Sequence, residues 1–227
     1  MVAMQQSFTS RRVLLAGLAA SSALALPGCA SLGALSLVDA IRRLLERSTR
    51  QALARLVAPG GFYDNELARL DLPDVFGSRG NVLQSILTSA VFKGRLQRSL
   101  NRVAEQGARR AAPILADTVR TIGIDNALAL VKGGPSAATG FLRSAMAGSL
   151  IEAMVPVLGD GLRLADDPVV GQALAALTGI DVSGVARSLS GRVDDAIWGE
   201  IGREEAAIRA NPEATNDAVL IAALKVL

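Results

Sequence analysis

Residues 182–209 read VSGVARSLSGRVDDAIWGEIGREEAAIR. Within them Val182, Val185, Leu189, Val193, Ile197, Ile201 and Ile208 recur at separations of three, four and seven. That is the period of a helix with one apolar face, and it excludes the two-residue alternation of a half-buried strand. Glu205 and Arg209 stand four apart with the acid first, the order that supports a helix. Asp181 precedes the run and can cap it by accepting from an unpaired amide of the first turn. Asn211-Pro212 ends it and is read as the N-cap and first position of a final helix through Leu227, because proline lacks a donor that a first turn leaves unpaired.

The same pattern continues upstream. A helix is expected from Pro135 through Phe141, Leu142, Met146, Leu150 and Met154 to a turn near Gly159-Asp160-Gly161, and Asp167-Pro168 forms a second capping pair. A short apolar segment at 125–131 precedes Lys132-Gly133-Gly134-Pro135. Residues 81–103 and 105–122 have helical spacing, with Gly107 and Pro113 interrupting the second region. Pro59-Gly60-Gly61 opens an ordered connector over 62–80. Before it, residues 38–57 place Val38, Ile41, Leu44, Leu45, Ala52 and Leu56 on one face, with Arg42, Arg43, Glu46, Arg47 and Arg50 largely off it. Few strand-like stretches remain, so the expected fold is all-α, one compact multi-helix domain over 38–227 whose helices cover one another. A chain of this size can bury roughly 70% of its extended surface.

Composition narrows the chemistry. Half of the 227 residues are hydrophobic and 3% are aromatic, so the core rests on aliphatic packing and the chain is too apolar to be disordered. The sequence holds no His and one Cys, which removes a Ser–His–acid triad, a Cys–His couple and the usual zinc ligand sets. Carboxylate chemistry stays open. Gly133-Gly134-Pro135 lacks the spacing and the Lys of a phosphate-binding loop, and Gly159-Asp160-Gly161 is not a calcium loop. No cofactor and no metal site are expected.

The amino terminus carries an address. Arg11 and Arg12 precede the apolar run 13–26, which leads into Pro27-Gly28-Cys29, the charged, hydrophobic and small-residue order of a cleaved export signal over 1–28. The run is short of the roughly 20 residues a bilayer span requires. Leu26-Pro27-Gly28-Cys29 resembles a bacterial lipobox, which implies that Cys29 becomes the lipidated first residue of a short linker over 29–37. Ser10-Arg11-Arg12-Val13-Leu14-Leu15 is similar to a twin-arginine signal, although a general secretory route is equally compatible with it. Ala30 after Cys29, in place of Asp, resembles an outer-membrane address. Of 24 basic residues only Arg11 and Arg12 precede Cys29, and no acidic residue does, so the mature chain retains 22 against 21, a balance of +1. With charge runs of mixed sign, no nucleic acid partner is expected.

Arg192-Val193-Asp194-Asp195-Ala196-Ile197-Trp198 and the following Ile201-Gly202-Arg203-Glu204-Glu205-Ala206-Ala207-Ile208-Arg209-Ala210-Asn211-Pro212 resemble the bacterial domain of unknown function 4197 family. Gly61-Phe62, the helix opening Ala137-Thr139-Phe141-Arg143 and the Leu-rich end agree with that likeness, which covers most of the mature chain. It implies an all-helical, exported or lipid-attached protein. It supplies no catalytic residue, and a fold does not name a reaction.

Two clusters carry chemical potential. Asp194, Asp195, Glu200, Glu204 and Glu205 lie on one helix, where Asp194–Trp198 and Glu200–Glu204 are four apart and share a surface. Nearby carboxylates can tune one another or bind hard cations, and Arg192, Arg203 and Arg209 offer simple countercharges instead. Arg143 beside Phe141 can hold an anion against an aromatic ring, or can serve as an exposed helix-end cation next to a core residue. The candidate ligand-binding residues are therefore Arg143, Phe141, Asp194, Trp198, Glu204 and Arg209. The functional expectation is a lipid-anchored periplasmic interaction or ligand-binding protein at the outer membrane. Its partners are the membrane, through lipidated Cys29, and an envelope protein, a peptide or a small apolar ligand. An unusual envelope enzyme using Arg and carboxylates is the alternative, and a helical face that builds an oligomer is a third.

Overall fold

The computed structural model describes residues 28–71, 89–163 and 182–225, with side chains from 37 and from 183 in the helices that open the first and third intervals. The fold is all-α, with no strand among the described residues. In chain order the helices are α1 (Gly28–Leu56), α2 (Ala90–Thr121), α3 (Ala127–Val131), α4 (Ala137–Met146), α5 (Ser149–Arg163), α6 (Val182–Ala210) and, after a 3-10 turn at Pro212–Thr215, α7 (Ala218–Lys225). Long α6 lies against α1 and α5, and α2 packs on the same two helices and also touches α6. Val193, Ile197 and Ile201 of the opening stretch are fully buried at this centre, as its period requires. The backbone of 29–37, expected as a linker, is helical and continuous with α1. Asp181 and Asp167-Pro168 lie outside the described residues.

Gly159-Asp160-Gly161, expected as a turn, is helical within α5, which runs on to Arg163, and three boundaries differ from the sequence expectation for local reasons. The regions 81–103 and 105–122 share one helix, α2, which starts at Ala90 with Ser89 accepting from the Phe92 amide and runs through Gly107 and Pro113. Gly107 is there for approach: a Cβ on it would sit 3.1 Å from Leu158 of α5. Pro113 is exposed, so the carbonyl left without its helical donor faces water.

The helix expected from Pro135 to Gly159 is two helices bent by 71°. Ala147 and Gly148 both take positive φ, and the Ala147 amide closes α4 on the Arg143 carbonyl. Leu142, Met146, Leu150, Met154, Leu158 and Leu162 recur every four residues across the bend and are all buried. Periodicity passes through the break unchanged, which is why it hides it. No single described helix is long and apolar enough to cross a membrane. The bent pair qualifies only by length and composition, and its apolar stripe is spent on the core.

At the carboxyl end, Asn211-Pro212 opens a single 3-10 turn and not the final helix. Asn216 turns left-handed at φ 52°, and Asp217 then starts α7 by accepting from the Val219 and Leu220 amides at 3.0 and 3.3 Å.

Candidate ligand site

Helices α1 and α2 run antiparallel and are tied at both ends of a shared seam. Arg42, early in α1, donates to the carbonyls of Val119, Arg120 and Ile122 at the end of α2, at 3.4, 2.5 and 3.3 Å. These are carbonyls a helix end leaves unpaired. Arg109, midway along α2, donates to the Val57 carbonyl just past α1, at 2.8 Å. Between the two ties a groove follows the helices over about 16 Å, the rise of the eleven residue steps from Glu46 to Val57. The groove there has a volume of about 580 Å³, within the range of small-molecule sites.

The Arg109 end is walled by Leu53, Ala54, Val57 and Ala112, and the middle by Thr49, Arg50 and Ala116. Small alanine side chains on both helices leave the space open. The Arg42 end carries Glu46, Val119 and Arg120. Thr49 is 3% exposed, and its hydroxyl is the single buried side-chain polar atom among the described residues without a hydrogen-bond partner. Other helical hydroxyls behave differently: Ser48, Thr118 and Ser190 donate to the carbonyl four residues back at 2.7–2.8 Å. Leaving a buried hydroxyl unpaired costs about 1–3 kcal/mol. A second hollow of about 310 Å³, between α2 and α5, is more polar, with Arg102, Gln106 and Asp160 on its walls.

Residues 31–224 match the family described as Protein of unknown function (DUF4197). The chain belongs to the DUF4197 family. No curated protein and no solved structure matches it.

In this DUF4197 protein the six candidate ligand-binding residues occupy separate places. Arg143, Asp194 and Trp198 do meet: Arg143 donates to Asp194 at 3.2 Å and to Asp195 at 2.5 Å, and the Trp198 indole donates to the other Asp194 oxygen at 2.9 Å. Burial pushes the Asp194 carboxyl above the ordinary range, held back by the Trp198 and Arg143 donors. Phe141 is half-buried and packs on the core. Glu204 pairs with Arg55 of α1. Arg209 binds Glu205 and the carbonyls of Val131 and Leu130, the latter two at 2.9 and 2.8 Å. None of the six lines either hollow.

Two acids of the DUF4197 signature stretch are buried fastenings. Glu205, 0% exposed, accepts from the Ala138 and Thr139 amides and the Thr139 hydroxyl at 3.0, 2.6 and 2.6 Å. It thereby caps α4 from a neighbouring helix, where Ser136 makes no side-chain cap. Glu200, also buried, accepts from Asn65 at 2.8 Å and from Arg203. The described residues contain no group of three or more His, Cys, Asp or Glu able to share a metal ion. Sequence reasoning missed Thr49, Glu46 and Arg50 as site residues. The available signal was a hydroxyl at Thr49, four residues from both Leu45 and Leu53 on the apolar face of α1.

Proposed function

We propose that the chain is a lipid-anchored binding protein on the periplasmic face of the outer membrane, holding a small apolar ligand in the α1–α2 groove. The anchor reading is supported by the lipobox-like Leu26-Pro27-Gly28-Cys29, with Cys29 as the lipid-bearing residue and Ala30 after it. Acyl chains on one residue contribute about 0.8 kcal/mol per buried methylene, enough in combination to hold a domain at a membrane. The binding half rests on one observation: a largely apolar groove of about 580 Å³ between α1 and α2. A groove with that lining favours an apolar body and orients it with few polar contacts.

Mass spectrometry of the full chain recovered from its own membrane tests both halves. The amino-terminal peptide is expected to begin at Cys29 with its lipid mass. An organic extract of the protein is expected to release a stoichiometric small molecule that Ala116→Phe, a ring placed at the groove mouth, excludes. An unmodified amino terminus refutes the anchor, and an extract unchanged by Ala116→Phe refutes the groove.

A further inference from the structure

The exposed face of α2 carries charge of one sign. Of the residues 90–121, seven are basic and two are acidic, and one of the acids, Glu105, is buried. The other, Asp117, pairs with Arg120, so those two cancel. Apart from Lys93, which the helix period turns away, what remains is Arg95, Arg98, Arg102, Arg109 and Arg110, all exposed and none in an ion pair among the described residues. Their spacing confines them to about a third of the helix circumference along about 22 Å of its length. Arg98 lies 5.9 Å from the centre of the Tyr63 ring and Arg69 lies 5.1 Å from it, which carries the positive surface onto the connector. Asp160, on the wall of the hollow that Arg102 shares, is taken by Arg163 at 3.3 Å.

The rest of the molecule has the opposite balance. Of the 22 basic and 21 acidic residues from Cys29 onward, α2 takes 7 and 2, which leaves 15 against 19. Shape and reach then select the partner. Guanidiniums that point outward from a convex helix cannot converge on one small anion, whereas a broad array of phosphates meets all five. A net charge of +1 attracts little from afar, so the face acts only within a Debye length, about 8 Å at physiological salt. An anchored chain meets that condition continuously. Cys29 stands at the start of α1, about 20 Å before Arg42, and Arg42 holds the end of α2.

We propose that α2 docks face down on an anionic phospholipid leaflet, with Arg95, Arg98, Arg102, Arg109 and Arg110 against its phosphates, so that the anchored domain lies along the membrane. This rests on Cys29 bearing the lipid, and the test reads the two claims separately. Cys29 is the only Cys, so once its sulfur is lipidated a Cys placed elsewhere takes a nitroxide alone. The mature lipoprotein is labelled at Gln106→Cys, on the basic face, or at Ser144→Cys, on exposed α4, which packs on α1 and α6. Each is placed in nanodiscs of phosphatidylcholine with or without phosphatidylglycerol, and relaxation by nickel chelated at the headgroups reports the docked fraction. Phosphatidylglycerol is expected to bring the Gln106 label and not the Ser144 label to the headgroups, and 1 M salt, with a Debye length of about 3 Å, to release it. Each charge near such a surface is worth about fivefold, so Arg95→Gln/Arg102→Gln/Arg110→Gln is expected to lower the docked-to-free ratio about a hundredfold. The salt arm decides the matter on unaltered arginines even where the triple variant fails to fold. A Gln106 signal equal in neutral and anionic nanodiscs overturns the proposal, as does an equal rise at Ser144. An oligonucleotide that shields the Gln106 label where phosphatidylglycerol does nothing assigns the face to nucleic acid and overturns the membrane. Retention on neutral nanodiscs in 1 M salt reads the anchor alone: a chain that leaves them but docks on anionic ones through Gln106 loses the anchor and keeps the basic face.

Discussion

Replacing Thr49 by valine is expected to stabilise the ligand-free protein. The two side chains have nearly the same shape and similar helix propensities, so the exchange substitutes a methyl for a hydroxyl with little change in packing. In most buried positions that substitution is destabilising, because it breaks a hydrogen bond. Here there is none to break: the hydroxyl is buried and unpartnered. Relief of an unpaired polar group is worth about 1–3 kcal/mol, and burying the new methyl adds about 0.8 kcal/mol at most. For a domain of roughly 200 residues, each 1 kcal/mol moves the melting temperature by about 2–4 °C. A rise of about 2–15 °C is therefore expected in circular-dichroism melts after delipidating extraction. Thr118→Val supplies the contrast, since Thr118 donates to the Ile114 carbonyl at 2.8 Å. It is expected to be neutral or to lose about 0.5–1.5 kcal/mol, the net worth of one hydrogen bond. If Thr49→Val instead lowers the melting temperature as much as Thr118→Val does, the Thr49 hydroxyl has a partner and the reading of it as a buried, unpaired group is refuted.

Three further outcomes follow from the buried polar groups and the close helix contacts. Glu205→Ala removes the cap of α4 and strands Arg209, whose side chain is mostly buried, so a loss of about 3–5 kcal/mol is expected in urea titrations; a change under 1 kcal/mol contradicts the fastening role. Gly161→Ala should destabilise more than Gly107→Ala, by about 1–3 kcal/mol, because its Cβ would stand 2.9 Å from the branched Val103 and not 3.1 Å from the end of Leu158. Equal midpoints for the two variants would show that the α2–α5 seam relaxes freely. Glu105 accepts from the Gly60 amide at 2.9 Å, yet burial raises its carboxyl above the ordinary 4.5. A raised folded value means that the folded protein binds the proton more tightly, so this group's stabilisation is complete below the unfolded value and is lost as pH rises through the folded one. Glu105→Gln is expected to flatten that fall in melting temperature between pH 4.5 and neutrality; an unchanged slope assigns the pH dependence elsewhere.

How much of the candidate site could be read in advance depends on which physical signal each residue leaves. The Arg143–Asp194–Trp198 meeting was foreshadowed in part: Asp194 and Trp198 are one turn apart on a single helix, and a helix repeat places them together without further information. Glu205 and Arg209 were legible as a pair for the same reason, but not as a buried one, because the partner that buries them is the start of α4, some 66 residues away. Read as runs, the charges of residues 93–120 are mixed. Wound into α2, Arg95, Arg98, Arg102, Arg109 and Arg120 fall along one exposed face, and Arg109 and Arg120 bound the groove.

By itself the sequence determined the helical class, since three- and four-residue apolar spacing is a property of the chain and not of its neighbours. It determined the buried face of α6 and the faces of α1 that meet the core. Only the tertiary structure decided where helices break when their apolar stripe continues, as at Ala147–Gly148, where a left-handed pair turns the chain without disturbing the four-residue rhythm. It also decided which polar groups are spent and which are left over. Thr49 and Ser48 are adjacent hydroxyls in one helix, and the second donates to the Leu44 carbonyl while the first is buried and unpaired.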